Sequence, residues 1–197
     1  VDKTGLIEYT NSVLNTTNAY ICNSRPRRFG KSYAANMLAA YYSKGADSEK
    51  MFSELEIGKN EDFKKHLNKY DVIHIDIQWF LANCDDVDNV VKHIAEAVLD
   101  ELRVAYPGIL PPEIFSLPDA LSRIKDKMGQ KFIVIIDEWD VLIRDEASNK
   151  KAQEDYINFL HETIDLFHEN ADLPESKIEL VLFPNLLEMP DIVGNKD

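Results

Sequence analysis

The sequence predicts an α/β fold of three layers, a sandwich with helices on both faces of a central parallel sheet. Three observations predict it. Short apolar runs alternate with helical periodicities along the 197 residues. The run Phe132-Ile133-Val134-Ile135-Ile136 is apolar without interruption and rich in β-branched residues, as in a strand buried on both faces of a parallel sheet. An apolar run, a loop and a helical pattern follow one another around Gly30-Lys31-Ser32.

The elements read in order as follows. Ala19-Tyr20-Ile21-Cys22 suits a short buried strand, and Pro26 in the loop behind it excludes a helix interior. Ser32 to Tyr42 turns helical, with Met37, Leu38, Ala40 and Tyr41 as its apolar positions. Glu61 to Lys69 reads as a short polar helix, and Val72 to Ile77 as a second strand. Val87, Val90, Val91, Ile94, Val98 and Leu102 recur at three- and four-residue steps, which marks an amphipathic helix. Pro107, Pro111 and Pro112 impose a loop before a helix from Leu117 to Met128. After the third strand, Tyr156, Phe159, Leu160, Thr163, Ile164 and Phe167 mark another helix, and Ile178 to Phe183 a fourth strand. Residues 1–197 read as one domain, truncated at its C-terminus; the missing initiator Met reads as a trimmed N-terminus.

Bulk properties exclude several functions. The net charge of -13 is wrong for a general binder of nucleic acid, whose phosphates require clustered Lys and Arg. No apolar run approaches the roughly 20 residues of a membrane span, and no basic segment followed by an apolar one opens the chain. Cys22 and Cys84 form no CxxC pair and fit reduced thiols in a cytoplasmic setting. In so acidic a chain the one dense basic cluster, Arg25, Arg27, Arg28 and Lys31, is informative: an anionic ligand must be held by a local basic site.

That cluster surrounds a phosphate-binding motif. The pattern G-x-x-x-x-G-K-[ST] falls on Arg25-Pro26-Arg27-Arg28-Phe29-Gly30-Lys31-Ser32, with Arg25 where the first Gly is usual. Gly30 lets the backbone approach a phosphate, and the amides opening the helix point at the anion. Lys31 reaches the β- and γ-phosphates, and the Ser32 hydroxyl suits magnesium. A second motif is Ile133-Val134-Ile135-Ile136-Asp137-Glu138, an apolar strand ending in two acids. Parallel strands carry such residues to the C-terminal edge of the sheet, where open α/β folds bind ligands. Asp137 suits magnesium, and Glu138 suits polarising the attacking water. The two motifs together predict a P-loop NTPase sandwich that binds ATP and Mg2+. Lys31 and Glu138 are the catalytic candidates. Arg25, Arg27, Arg28, Phe29, Gly30, Lys31, Ser32, Tyr33 and Asn185 are the nucleotide-binding candidates, with Ser32 and Asp137 on the metal.

Three stretches, Asp2-Lys3-Thr4, Ser24 to Ser32 and Ile136-Asp137-Glu138-Trp139-Asp140, resemble the AAA-ATPase-like family of bacterial proteins over about residues 1 to 165. In that family Arg stands in place of the first Gly, so the departure at Arg25 is in keeping with it. The resemblance implies a P-loop ATPase of the AAA and signal-transducing type. Members often carry a C-terminal domain similar to PD-(D/E)xK nucleases. No such stretch follows residue 165 here, so a nuclease-like domain or a homo-oligomer enters only as an expected partner of the full-length protein.

Other residues admit competing readings. Asn185, after the fourth strand, reads either as a γ-phosphate sensor or as a turn residue. His161-Glu162-Thr163-Ile164-Asp165 opens like a zinc motif but ends in Asp165, and core packing explains the helix better. Trp79, Phe80, Trp139 and Phe29 are candidates to stack on the base, or core and rim aromatics. Asp85-Asp86-Val87-Asp88 fits a helix N-terminus. His66, His74 and His93 have no evident partners. The leading expectation is a Mg-dependent ATPase used as a conformational switch or motor for an attached or partner domain, slow in isolation. The alternative is an ATP-binding regulatory module with negligible turnover, and a nucleotide or small-molecule kinase is a third. The kinase lacks its Arg-rich lid, because the last Arg is Arg144.

Overall fold

The computed structural model describes residues 2–16, 18–22, 30–129, 131–146, 148–168 and 178–183. Four strands, β1 (Tyr20–Cys22), β2 (Asp71–Asp76), β3 (Phe132–Asp137) and β4 (Ile178–Phe183), form one sheet in the order β1-β4-β3-β2. Every pairing is parallel. Cys22 pairs with Phe183, Ile135 with Leu182 and Asp76 with Asp137, so all four strands end at one edge. All six residues of β3 are buried, as its unbroken apolar run requires of a central strand.

The helices among the described residues are α1 (Gly5–Val13), α2 (Lys31–Tyr42), α3 (Glu49–Ser53), α4 (Phe63–His66), α5 (Ile77–Ala82), α6 (Val90–Ala105), α7 (Leu117–Met128), α8 (Val141–Asp145) and α9 (Lys150–His168). The apolar stripe of α2 buries Leu38, Tyr41 and Tyr42 completely and Met37 nearly so, packing against β2 and β3. The stripe of α6 buries Val90, Ile94, Leu99 and Leu102, with α7 and α9 against it. Ser116 caps α7 by accepting the Asp119 N–H, Pro118 sits in the first turn where its missing N–H costs nothing, and Gly129 closes the helix at φ +66°. In α9 Tyr156, Phe159, Leu160 and Thr163 are buried.

Three sequence expectations shift. The helix expected over Glu61 to Lys69 shrinks to Phe63–His66, because Asn68 turns left-handed at φ +54° and is stitched to the end of α2. Its amide group donates to the carbonyls of Ala40, Tyr41 and Ser43. Strand β2 stops at Asp76 rather than Ile77, because the Asp76 carboxylate accepts the Trp79 N–H and starts α5. The helix expected from Val87 opens with a 3-10 turn, Val87–Asn89, capped by Asp86, before α6 proper. No helix among the described residues is long and apolar enough to cross a membrane.

Candidate functional site

Among the described residues, the edge where the strands end carries Asp137 and Glu138, and α2, whose last residue Tyr42 accepts the Tyr70 N–H just before β2, has its head at Gly30 toward that same edge. Gly30 is the N-cap of α2 and adopts φ +72°, ψ +45°, a conformation that needs glycine. Its carbonyl accepts the Ala34 N–H and begins the helix. Lys31 opens α2, Ser32 is exposed, and Tyr33 is 68% exposed. The side chain of Lys31, together with Arg25, Arg27, Arg28, Phe29 and Asn185, lies outside the described residues. β1, which leads to this loop, and β3, which carries the acids, are separated only by β4. At the usual strand spacing this sets their ends about 10 Å apart.

Asp137 is the last residue of β3 and is buried, 3% exposed. Its Oδ1 accepts the N–H of Glu138 at 2.9 Å. Glu138 is half-buried and holds φ +50°, a left-handed backbone that is uncommon for a residue with a side chain. The turn is closed by the Glu138 carbonyl, which accepts the Val141 N–H at 3.0 Å. It is anchored from α9 by the buried Tyr156, whose hydroxyl donates to the Trp139 carbonyl at 2.8 Å. Trp139 itself is buried and belongs to the core, so of the described base-stacking candidates Trp79, Phe80 and Trp139 it is Trp79 that is exposed. It stands edge-on to Phe80 with ring centroids 5.0 Å apart.

Sequence reasoning passed over Asp76. It is the register partner of Asp137 on β2, exposed, and one carboxylate oxygen caps α5 through the Trp79 N–H at 3.0 Å. The signal was present: Ile75-Asp76 repeats the apolar-then-acid ending of Ile136-Asp137. His74, two residues earlier, has its pKa lowered by desolvation, against the pull of the Asp137 and Asp76 charges. Arg144 bonds Asp140 at 3.0 Å and Asp145 at 2.8 Å, and these acids, with Glu138 nearby, raise its pKa further.

Two histidines do have partners. His66 stacks on Tyr70 and its Nδ1 lies 2.5 Å from the Tyr70 hydroxyl, while His93 Nδ1 is 3.3 Å from the Cys84 thiol. Among the described residues no three His, Cys, Asp or Glu side chains gather as a metal cage. Magnesium needs only one or two protein oxygens beside water and phosphate, and the Asp137 carboxylate with the Ser32 hydroxyl is a donor set of that kind.

Comparison with known families matches residues 1–181 to the AAA-ATPase-like family, described as a predicted AAA-ATPase. The match runs past residue 165, where the sequence resemblance was placed to end, and takes in most of β4. No curated protein and no solved structure matches the chain.

Proposed function

The chain belongs to the AAA-ATPase-like family, and from that premise we propose that it is an ATP-binding P-loop domain that hydrolyses ATP with magnesium. One observation carries the reading. A glycine in the left-handed conformation opens α2 on the same sheet edge as the Asp137-Glu138 turn, with a single strand between them. A triphosphate on the α2 N-terminus would extend over that strand toward the two acids.

The topology supports a three-layer P-loop sandwich. β1 to β2 crosses the sheet in one direction, and β2 to β3 to β4 returns in the other. Right-handed crossovers in opposite directions put their helices on opposite faces. On this reading α2 covers one face, and α6, α7 and α9, which touch one another, cover the other.

The roles follow from chemistry. Lys31 and the α2 amides hold the phosphates, and Arg25, Arg27 and Arg28 surround them with positive charge. Phe29 and Tyr33 flank the nucleotide. Asn185, which follows β4 between the two motifs, would face the γ-phosphate. Ser32 and Asp137 would hold Mg2+, which neutralises phosphate charge. Glu138 orients the water that attacks the γ-phosphate. Hydrolysis would drive an attached domain, a second copy of the chain or a nuclease-like partner. The rival reading, a regulatory module that binds without turnover, shares every binding residue but gives Glu138 no task. Phosphate release from ATP by the purified chain, with magnesium and with chelator, decides between them. Binding without any magnesium-dependent release, alone or with partners, supports the regulatory module.

A further inference from the structure

Helices α6 and α9 pack on one another and leave a groove of about 830 Å3 between them at the surface. Its floor is apolar. Val91, Ala95 and Leu99 follow one another at four-residue steps along one face of α6, and Phe159 meets them from α9. Leu99 and Phe159 are buried, and Val91 and Ala95 are half-buried. Phe115, 78% exposed, extends the apolar surface on the stretch before α7. The neighbouring Ile114 carbonyl accepts from Arg103 at 2.8 Å, which ties this end of the groove to α6. From Val91 to Arg103 the α6 wall runs about 18 Å, the length of three to four helical turns.

The rim is acidic. Five carboxylates, Asp88, Glu96, Asp100, Asp155 and Glu162, face two cations, Lys92 and Arg103. Both cations are already matched within the wall: Lys92 lies 3.7 Å from Glu96, and Arg103 lies 2.8 Å from Asp100. Lys151 lies 3.4 Å from Asp88. Asp155 and Glu162, two turns apart on α9, are exposed and have no cationic partner among the described residues. An occupant covering the floor must therefore bring apolar groups on one side and positive charge beside them. A neutral or acidic one would strip water from two carboxylates and give nothing back.

We propose that the α6–α9 groove docks a basic amphipathic helix of a partner protein, its apolar face on Leu99 and Phe159 and its Lys or Arg residues on Asp155 and Glu162. The docked helix lies two contacts from the acid turn. Phe159 stacks on Tyr156 with ring centroids 6.3 Å apart, and the Tyr156 hydroxyl donates to the carbonyl of Trp139, next to Glu138. Docking itself needs no nucleotide.

Fluorescence anisotropy of the full chain without nucleotide tests this. The probe is a labelled peptide of about 14 residues, leucine at every third or fourth position and lysine elsewhere, long enough for the groove. The parent should bind it saturably. The double variant Asp155→Lys with Glu162→Lys should bind at least ten-fold more weakly, and so should Ala95→Trp, which fills the floor without changing charge. Folding of each is checked by circular dichroism. Glu54→Lys with Glu61→Lys makes the same change of charge at exposed positions outside the groove, and should stay within about three-fold of the parent. A leucine–glutamate peptide of the same pattern should not bind. No saturable binding by the parent up to about 0.1 mM lysine peptide overturns the proposal. Equal losses in the two charge-reversed variants, with Ala95→Trp like the parent, also overturn it, because net charge alone then explains the attraction. Equal binding of the glutamate peptide overturns the choice of a basic partner.

Discussion

Glu138 donates its N–H to the Oδ1 of Asp137, 2.9 Å away, from a backbone held at φ +50°. The two acids therefore divide in direction at the strand end: Asp137 remains in the buried sheet edge while the left-handed turn sends the chain off at Glu138. A residue with a Cβ in that region costs about 1 kcal/mol or more. Strain of this size, kept by the Tyr156 anchor and the 138–141 turn, is consistent with a side chain placed for chemistry.

Glu138→Gly should therefore stabilise the fold by up to about 1 kcal/mol, read as a higher melting midpoint, while abolishing hydrolysis. Glu138→Gln should keep ATP binding and lower phosphate release by about a hundred-fold, the size of a general-base effect. Asp137→Ala should weaken only the magnesium-dependent part of binding. If Glu138→Gln released phosphate like the parent, Glu138 would not be the base.

Asn68 should be a stability residue with no part in nucleotide chemistry. Its side chain ties three carbonyls at the end of α2 and accepts from Ser48, and its own N–H donates to the Tyr41 carbonyl at 2.7 Å. Asn68→Ala leaves those carbonyls without the amide and places alanine at positive φ. A loss of about 2–3 kcal/mol in urea unfolding is expected, with ATP affinity in the folded fraction unchanged.

The pH response has a definite sign. His66 has its pKa lowered, first by desolvation and then by the Lys65 charge; His74 is lowered by desolvation, opposed by Asp137 and Asp76. A histidine whose folded pKa lies below its unfolded value near 6.5 leaves the unfolded chain with more bound protons. Stability is then complete above that value and declines as pH falls through it toward the folded pKa. Melting at pH 7.5 and 5.5 should show a drop on acidification, smaller in His66→Gln and in His74→Gln. An unchanged drop in both variants would assign it to other groups.

Much of this was legible in the sequence because apolar periodicity reports burial directly. Leu117–Met128 and Ile178–Phe183 match the expected bounds, the former because Ser116, Pro118 and Gly129 punctuate it. The short helices α1, α3, α5 and α8 were passed over, since five to nine residues show too little periodicity to stand out. The early end of β2 at Asp76 was hidden because Ile77 continues the alternation, and only the cap to Trp79 reveals the turn. The candidate site was readable where a motif is contiguous, as at Gly30 to Ser32 and Ile136 to Glu138. Asp76 carries the same apolar-then-acid ending, but its place beside Asp137 is set by the register of β2 on β3, which its own segment does not encode.

Arg144 is committed to Asp140 and Asp145 and should not serve as the arginine that neutralises the transferring phosphoryl group. Arg144→Ala should cost about 1 kcal/mol of stability and leave both ATP affinity and the slow turnover of the isolated chain within about two-fold. An arginine supplied from another subunit or domain is worth roughly 10³- to 10⁵-fold, so turnover should rise when a partner is added. Fast hydrolysis by the dilute monomer, lost in Arg144→Ala, would show that Arg144 acts in cis after leaving its acids.

The central claim is that the N-terminus of α2 holds the phosphates of ATP, and calorimetric titration of the purified chain with Mg·ATP tests it most directly. The parent should show saturable one-site binding, and folded Lys31→Ala should lose affinity by about ten-fold or more, the worth of one charge-assisted phosphate contact. Equal affinity in the parent and in a folded Lys31→Ala would contradict a phosphate site at Gly30-Lys31-Ser32.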